Sequence, residues 1–168
     1  MPLEISHIVQ PIKQPKKWAC WATALTMLYS WKNQLSISIQ DVINLYGEPY
    51  KTTFADSATR GISASEEENL YQAAALTVIK GLNPGIPAWY DLLEKYGPLS
   101  ITVDADPPTG TIHALVITGM KGDGTPANTN VTYIDPADGL SHTIKFTTFL
   151  TLYEGSASWP LQIIHYPQ

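Results

Sequence analysis

A chain of 168 residues, 44% hydrophobic and 15% charged, has enough material to bury a core without disulfide or metal staples, and residues 1–168 read as a single domain. The formal net charge of -5 withholds the basic footprint that nucleic acids and anionic membranes demand, so neither is expected as a partner. The one cysteine, Cys20, cannot form an intramolecular disulfide, and the chain shows neither a signal peptide nor an apolar run of about 18 residues.

From residue 18 to residue 32, Trp21, Leu25, Leu28 and Trp31 recur at helical spacing while Ala22 and Ala24 permit close packing. This predicts a buried helix with Cys20 near its start. Ser38, three residues before Asp41, and Gly47 bracket a second, short helix over 38–46. Residues 47–61 read as loop. Ser65 followed by Glu66, Glu67 and Glu68 opens a third helix, expected to run to Val78; the acid sits where the macrodipole favours it and is read as a helix start, not an acidic binding patch. Pro87 and Gly97 bracket a fourth helix over 88–96. Beyond Pro98, β-branched and alternating stretches predict strands at 99–103, 111–118, 131–135, 142–146 and 161–165, with a short helix over 147–154. A helical first half and a largely antiparallel second half make an α+β fold.

A thiol attacks a carbonyl efficiently as thiolate, a state favoured at a helix N-terminus and beside an imidazolium. Cys20 falls at the first of these places; its plain alternative is a small core residue between Trp18 and Trp21. Four histidines could serve as base: His7, His113, His142 and His165. His113 opens the otherwise apolar run 111–119, followed by a glycine-rich turn and a returning strand. With that turn centred near Gly124, His113 and Asp135 face each other directly, their Cβ atoms about 5 Å apart, unless a bulge shifts the register. His142, beyond the turn at 137–139, and the near-terminal His7 and His165 have ordinary structural explanations. No metal site is expected, because one cysteine without a second thiol or an HExxH pair lacks ligand arithmetic. Trp21, Trp31, Trp89 and Trp159 read as core, with Trp18 the candidate for lining a cleft.

The stretch 14–24 places Gln14 six residues before Cys20, followed directly by Trp21 and Ala22. His113-Ala114 leads an apolar strand, Ile134-Asp135-Pro136 ends the next, and Tyr96-Gly97-Pro98-Leu99 precedes the first sheet strand. Together these resemble the papain-like cysteine peptidase superfamily, and most closely its compact bacterial branch of staphopain-type proteases and avirulence-type effectors. The resemblance implies Cys20 as nucleophile, His113 as base and Asp135 as the residue orienting the base. It also implies an oxyanion hole made by the Gln14 side chain and the Cys20 backbone N–H, no cofactor, and a protein or peptide substrate. Papain itself has Asn where this chain has Asp135, which decides the branch, and Gly and Ser where this chain has Trp18 and Ala19, which narrows substrate approach.

Only 19 residues precede Cys20, too few for a long inhibitory propeptide, so control is expected from outside the chain. The compact effectors suggest a toxin domain, secreted by a specialised system, active in a recipient cell's cytoplasm and restrained at home by a cognate immunity protein. The same residues also suit a leader-peptide peptidase, though exporter peptidases of that kind are normally joined to membrane spans, or a peptidoglycan amidase. A catalytically silent binding module is the third alternative, and the intact set of Gln14, Cys20, His113 and Asp135 argues against it.

Overall fold

The computed structural model describes residues 2–106, 111–155 and 161–168; Trp159 lies outside them. In chain order the elements are β1 (Leu3–Ser6), α1 (Cys20–Asn33), α2 (Ile39–Tyr46), α3 (Tyr50–Ala55), α4 (Ala64–Ala73), β2 (Thr77–Lys80), α5 (Ile86–Tyr96), β3 (Leu99–Asp106), β4 (Thr111–Gly122), β5 (Thr129–Asp135), β6 (Leu140–Lys145), α6 (Phe146–Glu154) and β7 (Gln162–His165). The strands form an antiparallel sheet in the order β2-β7-β3-β4-β5-β6, and β1 lies beside the second half of β4. Helices dominate the first half and strands the second, as the sequence predicts.

Period-2 alternation gives the sheet two apolar faces. Val116, Ile134 and Ile164 face one core with α1, α2 and α4, whereas Leu115, Ile117, Val131 and Ile163 face a second core with α5 and α6. α1 is buried along nearly its whole length. Its two interior threonines resolve the polar cost by back-bonding one turn earlier, Thr23 Oγ1 to the Ala19 carbonyl and Thr26 Oγ1 to the Ala22 carbonyl, each at 2.8 Å. Among the described residues no helix is long and apolar enough to cross a membrane.

Capping explains where the helices start, and where the sequence misleads. The Ser38 hydroxyl accepts from the Asp41 N–H, and Gly47 at φ 72 ends α2, as expected. The stretch read as loop instead contains α3, too short to show a helical period; the Glu48 carboxylate accepts from the Thr52 N–H at 3.1 Å and its hydroxyl at 2.8 Å. α4 starts on Ser63, not Ser65: the Ser63 hydroxyl accepts from the Glu66 N–H at 3.2 Å and donates to the Glu66 carboxylate at 3.0 Å. It also stops well short of Val78. Ala75 adopts φ 58, the Leu76 N–H bonds back to the Tyr71 carbonyl at 2.9 Å, and the chain leaves as β2. Gly97, at φ 86 after α5, lets the Trp31 ring lie where a side chain would have to go.

Candidate active site

Cys20 is the first residue of α1 and is half-exposed. The helix has no side-chain cap, so the amides of its first turn, including that of Cys20, lack acceptors within the helix, and the positive end of the dipole lies at the sulfur. The residues before it are pinned from both sides. The Trp18 N–H donates to the Ser57 carbonyl at 2.8 Å, and its half-buried ring lies beside Gly61 with the Lys17 ammonium 5.2 Å from the ring centre. The Gln14 N–H donates to the Pro136 carbonyl at 2.7 Å, which ties this segment to the end of β5.

That tie is reinforced by a second close approach that the sequence did not reveal. Gly139 has φ 69, and a Cβ on it would come within 2.7 Å of the Lys13 side chain and 2.9 Å of the Lys13 backbone. Glycine is therefore required twice, by conformation and by space. The sequence marked 137–139 as a turn, but nothing in it named Lys13 as the neighbour. The Gln14 side chain donates both amide hydrogens locally, to the Lys16 carbonyl at 3.1 Å and the Lys17 carbonyl at 2.8 Å. Its Oε1 is buried with no hydrogen-bond partner among the described residues, an arrangement that costs stability and that a solvated surface glutamine would avoid.

His113 and Asp135 meet, by a register different from the expected one. Near the turn β4 and β5 pair as Met120 with Val131 and Gly119 with Thr132; beyond a bulge at Thr118 they pair as Ile117 with Tyr133 and Val116 with Ile134. The next step sets Asp135 across from Leu115. His113 is thus a diagonal neighbour two residues along, not directly opposed, because the turn centres beyond Gly124 and the bulge takes up one residue. Diagonal partners are about 7–8 Å apart, still within reach of an imidazole and a carboxylate. The bulge decides the face: without it Asp135 would stand across from Val116 and point away from His113.

His113 Nε2 lies 2.5 Å from Asp135 Oδ1, and the same oxygen accepts from the Ala137 N–H at 2.9 Å. Cys20 acts on the same ring: its side chain lies near enough to raise the imidazole pKa, and with Nε2 taken by Asp135 it is Nδ1 that is left for the sulfur. Burial by itself would lower the pKa of His113; the hydrogen bond to Asp135, the neighbouring Cys20 side chain and the charges of both outweigh it and raise the ring to about 9. Burial likewise pushes the Asp135 carboxyl up, but the His113 hydrogen bond, the Ala137 amide and the charges of His113 and His142 hold it below the usual carboxylate range. Cys20, His113 and Asp135 are therefore brought together, with Gln14 beside them on a loop anchored to the Asp135 strand.

The other histidines have structural partners. His7 bonds the Leu93 carbonyl at 2.7 Å and meets Trp31 edge-on, and His165 is buried, stacked on Tyr96 and bonded to the Tyr166 carbonyl. Trp21 and Trp89 are core residues, packed on Phe54 and on Phe149 and Tyr153 respectively. Asp135, Asp138 and His142 each place one ligand atom within 4.8 Å of the others, the kind of set a divalent cation could bridge. Each already has a protein partner, His113 for Asp135, and Asp138 and His142 for one another.

Residues 3–154 match the family described as papain-like cysteine protease AvrRpt2. Among solved structures the chain is similar to a double glycine motif protease from an AMS/PCAT transporter, determined in complex with the leader peptide. The TM-score is 0.55 at 18% identity, covering 97% of this chain and 94% of that one, so the likeness concerns the fold. No curated protein matches the chain. The family match runs from the first residue of β1 to the last of α6, every element but β7, and the chain belongs to the AvrRpt2 family of papain-like cysteine proteases.

Proposed function

We propose that residues 1–168 form a single catalytic domain, a cysteine endopeptidase in which Cys20 is the nucleophile, His113 the base and Asp135 the residue that orients the base. The observation carrying this reading is the imidazole held by Asp135 through Nε2 at 2.5 Å while Cys20, at the start of α1, lies near enough to raise the pKa of the same ring. The Cys20 thiolate attacks a peptide carbonyl, forming a carbon–sulfur bond. The resulting oxyanion is met by the Cys20 backbone N–H and by a Gln14 amide hydrogen released from its resting bonds to the Lys16 and Lys17 carbonyls. His113 then donates its proton to the leaving amine as the carbon–nitrogen bond breaks. The same ring deprotonates a water that cleaves the thioester and regenerates the thiolate. Trp18, beside the nucleophile, bounds the substrate cleft.

The substrate is a protein segment, and the setting is that of an effector or toxin domain acting in a recipient cell, held in check at home by a cognate inhibitor. Support for this setting is the family alone. Comparing new N-termini in a target-cell proteome exposed to wild type or Cys20→Ala tests the reading; termini absent from the Cys20→Ala sample identify the substrate, and identical profiles rule endopeptidase action out. Co-purification of a neighbouring-gene product that blocks cleavage would support the inhibitor, and harmless expression of active protein with no partner would count against it. A second reading, a leader-peptide peptidase, is favoured by the fold shared with the double glycine motif protease, and processing of a leader ending in two glycines separates the two.

A further inference from the structure

Between α4 and the β2–β7 edge of the sheet opens a cavity of about 640 Å³, walled by Glu67, Glu68, Tyr71, Val78, Lys80 and Gln162. Two of its wall residues lead toward the reacting groups. Gln162 Nε2 donates to Thr102 Oγ1 at 2.8 Å, and Thr102 stands across the ladder from Ala114, next to His113. Tyr71 shares a core with Ala19, the residue before Cys20, and its phenol senses the Cys20 charge.

The Glu67 carboxylate is the chemical feature of this cavity. Gln162 Nε2 donates to its Oε1 at 2.6 Å and the Tyr71 phenol lines the same cavity, so one neutral donor serves a group with about four acceptor positions. Lys80 attracts it without pairing with it, since its ammonium pairs at 3.6 Å with Glu68 on the exposed rim. Burial pushes the Glu67 carboxyl up against the pull of its hydrogen bonds. A largely buried carboxylate with one hydrogen-bonded oxygen and no ion-pair partner of its own keeps part of its desolvation cost, which a cation delivered into the cavity would offset. Glu68 and Lys80 cancel, so the wall carries one net negative charge, at the inner end.

We propose that this cavity receives a basic side chain of the peptide substrate, arginine or lysine, and that Glu67 is the residue that selects it. The proposal rests on the peptidase reading above. It requires Glu67 to touch the ligand's charge; a carboxylate that only fastens α4 to β7 through Gln162 would support the fold equally and show no charge preference.

Internally quenched peptides scanned one position at a time with arginine, its neutral isostere citrulline, lysine and norleucine provide the test. At one position wild type is expected to cleave the arginine peptide with a kcat/KM on the order of 30-fold above the citrulline peptide. Glu67→Gln brings that ratio close to one, each variant being referred to its own citrulline rate, and Glu67→Asp keeps part of the preference. Absence of any arginine preference in wild type, or a preference unaltered in Glu67→Gln, overturns the proposal. If Glu67→Gln fails to fold, the wild-type and Glu67→Asp ratios decide. If wild type cleaves none of the peptides, the peptidase reading fails separately, and calorimetric binding of the same peptides to the intact chain and to Glu67→Asp decides the pocket: tighter arginine binding that weakens in Glu67→Asp supports it, and equal affinities overturn it.

Discussion

Two histidine–aspartate pairs sit at neighbouring ends of the same hairpin system. His113–Asp135 and His142–Asp138 have separations of 2.5 and 2.7 Å, so distance does not distinguish them. Surroundings do. The first pair has side chains 13% and 26% exposed and a third partner in Cys20; the second is 36% and 41% exposed and stacks on Tyr133. A surface pair is worth about 0–1 kcal/mol, whereas an enclosed pair facing a sulfur can shift a protonation state and direct a proton.

The sharpest way to break this contrast is to remove the third partner. Cys20→Ala is expected to lower kcat/KM by at least about 10³-fold with the fold retained, and peptide-cleavage kinetics together with circular dichroism check both halves of that statement. Next, Asp135→Asn should lower kcat by about 10²–10⁴-fold, whereas Asp138→Asn changes it by less than about twofold. The pH profile adds a sign. With His113 raised to about 9, wild-type activity should fall on the alkaline side only as the pH passes that value; Asp135→Asn removes a raising partner and should move that limb to lower pH. Equal sensitivity of the two aspartates would erase the distinction.

Stability follows the same group. Because the folded-state pKa of His113 lies above its ordinary 6.5, its contribution is complete below 6.5 and is lost as the pH rises to about 9. Denaturant unfolding of wild type against His113→Gln should show a difference of at most about 3 kcal/mol that shrinks across this window. Gly139→Ala, which forces a side chain into φ 69 and against Lys13, should cost about 1–3 kcal/mol in thermal unfolding and reduce kcat/KM by displacing the Gln14 loop. The smallest effect is expected from Ser38→Ala, which removes the α2 cap far from the cleft: about 1 kcal/mol of stability, with kcat/KM unchanged.

How much of this was legible in the chain depends on whether the determining feature is local. The α1 period, the Ser38 cap, the Pro87 and Gly97 brackets and the five later strands are written in adjacent residues, and the structure has them within a few positions. α3 was hidden because six residues cannot display a period and its cap comes from Glu48. β2 was hidden because the turn after α4 is made by Ala75, an alanine in a conformation that sequence rules reserve for glycine or asparagine. The site shows the same division. Its residue types and spacings were readable, and His113 and Asp135 were rightly put on adjoining strands. Their diagonal offset was not readable, since it depends on a bulge at Thr118 and a turn centred further along than Gly124. The clasp between Lys13 and Gly139, and the carboxylate of Glu67 facing a cavity, exist only once distant segments have packed.

The bond from the Gln14 amide to the Pro136 carbonyl has a consequence for the order in which the enzyme comes into being. During synthesis the thiol emerges first, on a helix whose entry loop still has nothing to dock against. Its imidazole and carboxylate follow much later, and the anchor for the loop later still. With the roles proposed above, a half-made chain is a nucleophile without an activator, and a ribosome releasing it meets no protease until the hairpin closes.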